Sequence, residues 1–478
     1  MKVAIIGGGV IGALTALELT RYECDTVILE KASDVSAGGA SKANSGIVHA
    51  GFDATPGTNK AVFNARGSAM MPQVCQQLDA RYKRNGSMVL AFSKRESAGQ
   101  QKLLNQGLAN GVEGLSIITG DEAREIEPAL SKEVISVLWA KTGGIVCPYS
   151  LAMNAAASAK KNGAQVMTNT EVIGIGKADG AFVIATTQGE VEADYVINAA
   201  GVHADKIANM AGDDSFSIIP RRGEYMLFDK KIGGLVSHTI FQMPSERGKG
   251  VLVTPTVDGN LLTGPNAQDL SGTNKEDVAT TSQGQDYVWA SARRAVPGLT
   301  RGELITSFAG MRAVSNTDDF ILGFSTVPRF INAAGIQSPG LSASPAIAKH
   351  LASLVASAEQ LPERARFDPL FTSIPHAMEM SEAELHALIA QNPAFGNIIC
   401  RCETVTEGHI LHAIQDGATD IDGVKYRTRA GMGRCQGGFC MPRVLEIIAL
   451  ATGQNYTSIS KKGGGSYILT AERGATVG

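Results

Sequence analysis

Long apolar runs are the first thing this sequence lacks. Across 478 residues no stretch approaches the ~18 consecutive apolar positions that a membrane-spanning helix requires. An excess of one charge is missing as well. Lys and Arg number 43 against 46 Asp and Glu, a formal net charge of −3, which removes the electrostatic case for a nucleic-acid binder. With 44% hydrophobic and 19% charged residues, the composition is that of a folded chain rather than a disordered one. A disulfide framework is not indicated either. The seven cysteines are odd in number and four of them fall after residue 399, a clustering that points to metal ligands in a cytosolic protein. The opening Met1-Lys2-Val3-Ala4-Ile5-Ile6-Gly7 is a strand entering a glycine turn, not a charged segment before a cleavage site. No secretory leader is therefore expected, and the expected location is cytoplasmic, with peripheral attachment through a partner left open. Internal repeats are absent. Glycine is the one excess, at 54 residues against a usual ~7%, and it follows no collagen-like period. These glycines are expected at tight turns and close backbone approaches. At roughly 100–200 residues per domain, the length allows two to four domains.

What is present begins at the N-terminus. An apolar strand over residues 2–6 runs into Gly7-Gly8-Gly9-Val10-Ile11-Gly12, helical character follows from Ala13 to Leu19, and a second strand, Thr26–Leu29, ends at Glu30. Alone the Gly-x-Gly-x-x-Gly pattern is weak; in a β-α-β unit with an acidic residue about twenty positions on, it is a strong dinucleotide signal. Gly7, Gly9 and Gly12, with Val10 and Ile11 between them, let the backbone and a helix N-terminus approach a pyrophosphate. Glu30 is expected to accept from the adenosine ribose hydroxyls. A nicotinamide dehydrogenase carries the same signal. No second fingerprint appears, because Gly174-x-Gly176 is placed between two strands and lacks a helix start.

Further along, residues 33–60 are expected as an extended loop region, and 60–84 and 95–112 as helices. Short strands are expected near 87–92, 134–139, 165–176 and 181–188, and a buried strand over 193–201. Residues 222–228, 238–243, 250–255 and 260–264 alternate like an antiparallel sheet. Another strand is expected at 329–334 and a helix over Ala343–Val355. Pro362, Pro369 and Pro375 break the segment 357–395, which is taken as a linker. A Gly/Ser-rich tail, Lys462-Gly463-Gly464-Gly465-Ser466, follows the cysteine cluster.

Three segments besides the fingerprint carry a resemblance. They are Gly39-Ala40-Ser41-Lys42-Ala43-Asn44-Ser45-Gly46-Ile47, Val196-Ile197-Asn198-Ala199-Ala200-Gly201-Val202-His203-Ala204-Asp205 and Gly335-Ile336-Gln337-Ser338-Pro339-Gly340-Leu341-Ser342. Together they resemble the D-amino-acid-oxidase-type flavoproteins over residues 1–355. Asn44 to Asp53, Arg221-Arg222-Gly223-Glu224-Tyr225, Lys249 to Thr256 and Phe308-Ala309-Gly310-Met311-Arg312 are similar to the glycerol-3-phosphate oxidase and dehydrogenase branch. The L-2-hydroxyglutarate oxidases carry a similar Asn44–Asp53 segment. The resemblance implies an α/β fold: a Rossmann-type FAD-binding domain (parts about 1–85, 145–215 and 305–358) with an antiparallel-sheet substrate domain (about 86–144 and 216–304). It implies FAD rather than a nicotinamide cofactor. Its contacts would come from Gly7, Gly9, Val10, Ile11, Gly12, Glu30, Lys31, Ser41, Asn44, Ser45, Gly46, Val172, Ala200, Gly201, Gly340 and Leu341.

Oxidation of a secondary alcohol needs a base for the hydroxyl proton and a cation for an anionic tail. Histidine titrates near neutrality, and by resemblance His49 sits near the flavin; it is the candidate base, against a purely structural place in the flavin loop. Arg312 is the candidate anion ligand, because a guanidinium grips a phosphate or a carboxylate through two parallel bonds. Lys249 is a second candidate charge and Ser338 a candidate hydroxyl donor.

The cysteines Cys400-Arg401-Cys402 and Cys435-Gln436-Gly437-Gly438-Phe439-Cys440 are separated by about thirty residues of helical character. Four thiolates suit a [2Fe-2S] cluster. Zinc is the alternative, although a C-x-C pair is unusual for structural zinc. The segment resembles the bacterioferritin-associated-ferredoxin-like [2Fe-2S] domain, which implies a small α-helical unit over 396–455 after a linker at 361–395 and before a tail at 456–478. Cys24, Cys75 and Cys147 are expected in the core. A flavin and a cluster in one chain imply one-electron transfer onward to a partner subunit or a quinone-linked acceptor. The expected reaction is oxidation of sn-glycerol 3-phosphate. L-2-hydroxyglutarate, another 2-hydroxy acid or an amine remain alternatives, as does a zinc-binding docking or redox-sensing module at the C-terminus.

Overall fold

The computed structural model describes residues 1–244, 250–270 and 274–471. Lys249 lies outside them. The strand Lys2–Ile6 (β1), the helix Val10–Leu19 (α1) and the strand Asp25–Leu29 (β2) form the expected β-α-β unit. β1 is central in a six-stranded sheet, flanked by β2 and Gln165–Met167 on one side and by Tyr195–Asn198, Phe330–Ala334 and Ile321–Phe324 on the other. All pairings are parallel except the last. β1 and β2 are buried along nearly their whole length, as sheets covered on both faces are. On one face α1 packs against the helices Pro148–Lys161 and Gly340–Ala358, where small side chains such as Ala13, Ala16, Ala152, Ala155, Ala348 and Ala352 let the helices approach closely. On the other face lie a three-stranded meander, Val172–Ala193, and the helix Ala204–Met210.

Among the described residues the second sheet has nine strands. Its longest pair, Ile218–Phe228 and Leu304–Ser315, runs antiparallel with Arg221 opposite Arg312. The alternation over 222–264 is borne out, with strands at Ile218–Phe228, Thr239–Gln242, Leu252–Pro255 and Leu261–Gly264. Thr239–Gln242 nevertheless pairs in parallel with Ser87–Ala91, so the sheet is mixed at that point. Gly174 and Gly176 lie inside the strand Val172–Ala178 rather than between strands. The expected 33–60 loop carries a short helix, Gly39–Lys42, and a short strand, Ile47–Val48, while Ala343–Val355 is the middle of the longer helix Gly340–Ala358.

The segment taken as a linker is packed along the first domain. Arg364 donates to the carbonyls of Tyr22 and Cys24 at 2.8 and 2.6 Å, and the Phe371 N–H donates to Gln77 at 2.9 Å. It then forms the helix Glu382–Gln391, opened by a capping box between Ser381 and Glu384. The last region is built on three helices, Glu407–Gln415, Ile421–Thr428 and Met441–Thr452, around Ile410, Val424, Val444 and Ile448. Among the described residues no helix is long and apolar enough to cross a membrane.

Candidate active site and cluster site

The parallel strands of the first sheet end on a cavity of about 1530 Å³. Ligand clefts usually measure about 300–1,000 Å³, so this one has room for a dinucleotide and a small substrate together. Open sheets of this kind bind ligands outside the carboxyl ends of their strands. Fourteen of the sixteen residues expected at the cofactor line it: Gly7, Gly9, Val10, Ile11, Glu30, Lys31, Ser41, Asn44, Ser45, Val172, Ala200, Gly201, Gly340 and Leu341. Gly12 and Gly46 do not. A Cβ on Gly12 would fall 2.0 Å from the Gly7 carbonyl oxygen, so this glycine lets α1 sit on the β1 turn. Gly46 has φ +65° and turns its Cα toward the Val146 carbonyl, a packing position.

Backbone fastens the dinucleotide end. The Glu30 carboxylate accepts from the N–H groups of Gly8 at 2.6 Å and Ala32 at 2.8 Å, which fixes it at the end of β2. The Ser41 hydroxyl accepts from the Val10 N–H at 2.9 Å and so ties the short helix to the start of α1. Asn44 braces its own loop, donating to the Ala40 and Ser41 carbonyls and accepting from the Gly46 N–H at 2.7 Å. Lys31 pairs with Glu276 and lies 3.3 Å from His203 Nε2. That three-residue strap across the wall had no signal in the sequence.

The other end is made by side chains. The His49 N–H donates to the Ser342 hydroxyl at 2.7 Å, its Nε2 lies 3.3 Å from the Ser338 hydroxyl, and its ring centroid is 5.5 Å from that of Phe241. Arg312 donates from Nη2 to the Asn266 carbonyl at 2.5 Å, while its Nε is buried without a hydrogen-bond partner among the described residues. Burial draws the Arg312 pKa down from its usual value, with neighbouring Arg221 adding to the effect. Arg221 also lines the cavity, but Asp269 grips its guanidinium at two points, one at 3.0 Å. Arg312, in contrast, is in no ion pair among the described residues. Fully buried Glu224 accepts from the Thr281 N–H and hydroxyl at 2.8 and 2.9 Å and pins the start of the helix Ser282–Ala295, part of the cavity wall. The Arg-Arg-Gly-Glu-Tyr run was the one sequence signal for that role.

Cys400 and Cys402 stand beside the small hairpin Ile398–Thr406; Cys435 and Cys440 precede the helix Met441–Thr452. The sulfurs gather as two pairs. Cys402 and Cys435 are 3.8 Å apart, and Cys440 donates to Cys400. That hydrogen bond, and after it backbone N–H groups of Gly431, Glu403 and Cys402, draw the Cys400 thiol down to about 6 despite burial. Backbone N–H groups of Phe439 and Gly437 likewise lower Cys435. A Cβ on Gly433 would lie 2.2 Å from Cys402 Cβ, so only glycine fits there. Among the described residues no three His, Cys, Asp or Glu converge as a single-ion site. Two cysteine pairs amid backbone amides fit two irons of a [2Fe-2S] cluster better than one zinc. Cys24, Cys75 and Cys147 are buried elsewhere, with Cys75 pushed up to about 12 by desolvation.

The cysteine domain is seated on both others. Arg429 bonds Glu403 at 2.7 Å and Asp258 at 2.5 Å; Lys230 reaches Glu403 at 3.0 Å; and the rings of Tyr149 and Tyr426 lie 5.2 Å apart.

Residues 2–354 match the family model described as FAD dependent oxidoreductase. The chain belongs to this family. Residues 398–449 match the model of the BFD-like [2Fe-2S] binding domain. This FAD-dependent oxidoreductase is of the glycerol-3-phosphate dehydrogenase/oxidase type, with FAD and a [2Fe-2S] cluster as its cofactors. It is 46% identical over 472 residues, 98% of each chain, to a glycerol 3-phosphate dehydrogenase of Caloramator mitchellensis. To an L-2-hydroxyglutarate dehydrogenase of Escherichia coli it is 30% identical over 73% of this chain and 92% of the relative. The FAD-bound L-alpha-glycerophosphate oxidase of Mycoplasma pneumoniae superposes with a TM-score of 0.74 at 30% identity, covering 78% of this chain and 99% of that one.

Proposed function

We infer that the protein oxidises sn-glycerol 3-phosphate to dihydroxyacetone phosphate and sends the electrons out through its C-terminal domain. The observation that carries this reading is Arg312: an arginine of the cavity wall that is in no ion pair among the described residues, in a chain 46% identical over its length to a glycerol 3-phosphate dehydrogenase. When bound, FAD accepts a hydride from the alcohol carbon, and the [2Fe-2S] cluster carries electrons one at a time. The protein supplies the rest. Arg312 holds the phosphate, its guanidinium fixed by the bond from Nη2 to the Asn266 carbonyl. His49 takes the hydroxyl proton at Nε2. Ser338, 3.3 Å from that nitrogen, orients the ring and the hydroxyl. The apolar ring of Phe241 packs beside His49 and keeps water from its face.

The test is a substrate panel under anaerobic conditions, followed by flavin absorbance. sn-Glycerol 3-phosphate is expected to bleach the flavin fastest, with L-2-hydroxyglutarate at least ~10²-fold slower in kcat/KM, since a site shaped for one anion leaves donors unpaired with the other. Faster bleaching by L-2-hydroxyglutarate, whose carboxylate Arg312 also suits, would transfer the reading to that substrate.

A further inference from the structure

The glycine-rich tail after the cysteines is part of the cavity wall. Lys462, Gly463, Gly464 and Ser466 line it together with Glu30, Ser33 and Lys42. They form the tip of a small hairpin closed by a bridge between Ser460 and Tyr467. The Lys461 N–H donates to the Ser466 carbonyl at 2.8 Å, the Lys462 N–H to the Ser466 hydroxyl at 2.9 Å, and the Gly463 N–H to the Ser460 hydroxyl at 2.8 Å. The hairpin hangs from the cluster domain: the Asp422 N–H donates to the Lys461 carbonyl at 2.8 Å, and the Lys461 ammonium pairs with Asp422 at 3.0 Å.

Its tip rests on the loop that follows β2. A Cβ on Gly463, whose φ is +74°, would lie 2.9 Å from Ser33 Cβ. Two contacts hold that loop from the same side. The Ser33 hydroxyl donates to Asp420 at 2.5 Å, and Arg427 grips Asp34 at two points. Ser33 is three residues past Glu30, so the hairpin covers the dinucleotide end and not the reacting end. Two lysines, Lys42 and Lys462, line the cavity there. Lys42 lies 5.5 Å over the Tyr426 ring, and among the described residues neither Lys42 nor Lys462 is in an ion pair. The glycine fingerprint places a diphosphate at this end, the anion such cations favour.

We propose that the hairpin Ser460–Tyr467 of the cluster domain is a built part of the FAD site, with Lys462 presenting its charge to the pyrophosphate beside Lys42. FAD affinity then depends on the seating of the cluster domain, and FAD in turn holds that domain in place, because a ligand that touches both units stabilises their docked state. The glycerophosphate oxidase that superposes on this chain is covered over 99% of its length by 78% of this one, so part of this chain has no counterpart in it. The inference rests on the cofactor alone and is independent of which alcohol is oxidised.

The experiment uses the full chain with its cluster intact, freed of FAD, and titrated with FAD by flavin fluorescence; ADP serves as a competing probe of the same end. Lys462→Ala is expected to raise the FAD and ADP dissociation constants about three- to tenfold, and Lys462→Glu further, as loss and reversal of one charge facing a diphosphate require. Arg443→Ala, on the helix Met441–Thr452 of the same domain and paired with Glu446 away from the hairpin, should leave both within twofold. Iron content should be unchanged in all three. FAD and ADP constants within twofold of the parent in both Lys462 variants would overturn the proposal. So would an Arg443→Ala effect as large as that of Lys462→Ala, which would mean a general field and not a local contact.

Discussion

The two ends of the cavity are made from different materials. At the dinucleotide end, main-chain groups do the fastening: amides hold Glu30, a hydroxyl holds the start of α1, and glycines admit close approach. At the reacting end, side chains from separate strands and loops converge: His49 from the segment after the first flavin loop, Ser338 from the turn before Gly340, Arg312 from the second sheet. Backbone constraints leave a local mark in the sequence, because only glycine fits beside Gly7. Side-chain convergence leaves no such mark, because it depends on strands hundreds of residues apart meeting in register, and His49, Arg312 and Ser338 stood out through the family resemblance instead. The end built from backbone is therefore expected to fail by losing the cofactor, and the other end by losing rate or substrate affinity.

That contrast orders the expected effects. Gly12→Ala forces a methyl onto the Gly7 carbonyl and is expected to lower FAD occupancy more than ~10-fold, read from the flavin-to-protein absorbance ratio. Retained FAD would show that the turn yields. His49→Ala should keep FAD but slow its reduction by substrate ~10²–10⁴-fold in stopped flow. An unchanged rate would remove His49 as the base. Arg312→Lys replaces a fork by a point charge and should weaken substrate binding roughly tenfold with FAD content unaltered; an unaltered substrate constant would reassign the anion site. Ser338→Ala has the smallest expected effect, about three- to tenfold in the reduction rate, since its contact with His49 is a long one. If FAD content rather than rate falls in either of the last two variants, the division between the ends breaks down.

The same division explains what the sequence disclosed. The β-α-β unit and much of that end of the cavity wall were legible because the fingerprint, Glu30 and the 39–46 segment fall within the first fifty residues. The strand Leu304–Ser315 was not anticipated, although it carries Arg312, because its apolar and polar positions do not alternate cleanly. The helix Pro148–Lys161 was overlooked despite proline at its first position, a start signal that its alanine-rich body obscured. The helix Glu382–Gln391 lay inside a supposed linker, and Ser381-x-x-Glu384 was a capping box in plain view. The cysteines announced their chemistry, but the docking that seats them was hidden. It rests on ion pairs such as Arg429 with Asp258, which join residues far apart in the chain. Lys462 was invisible as a wall residue for the same reason: nothing local in a glycine-rich tail says which surface it will rest on.

The central claim is that one chain takes electrons from a small alcohol at the flavin and releases them through the cluster. An anaerobic titration of the holoprotein with sn-glycerol 3-phosphate, followed by visible absorbance and by paramagnetic resonance of the reduced cluster, tests it most directly. Two electrons for the flavin and one for the cluster predict bleaching of both chromophores, complete at about 1.5 molecules of substrate per chain. A flavin that is fully reduced while the cluster stays oxidised at every substrate concentration would contradict the account.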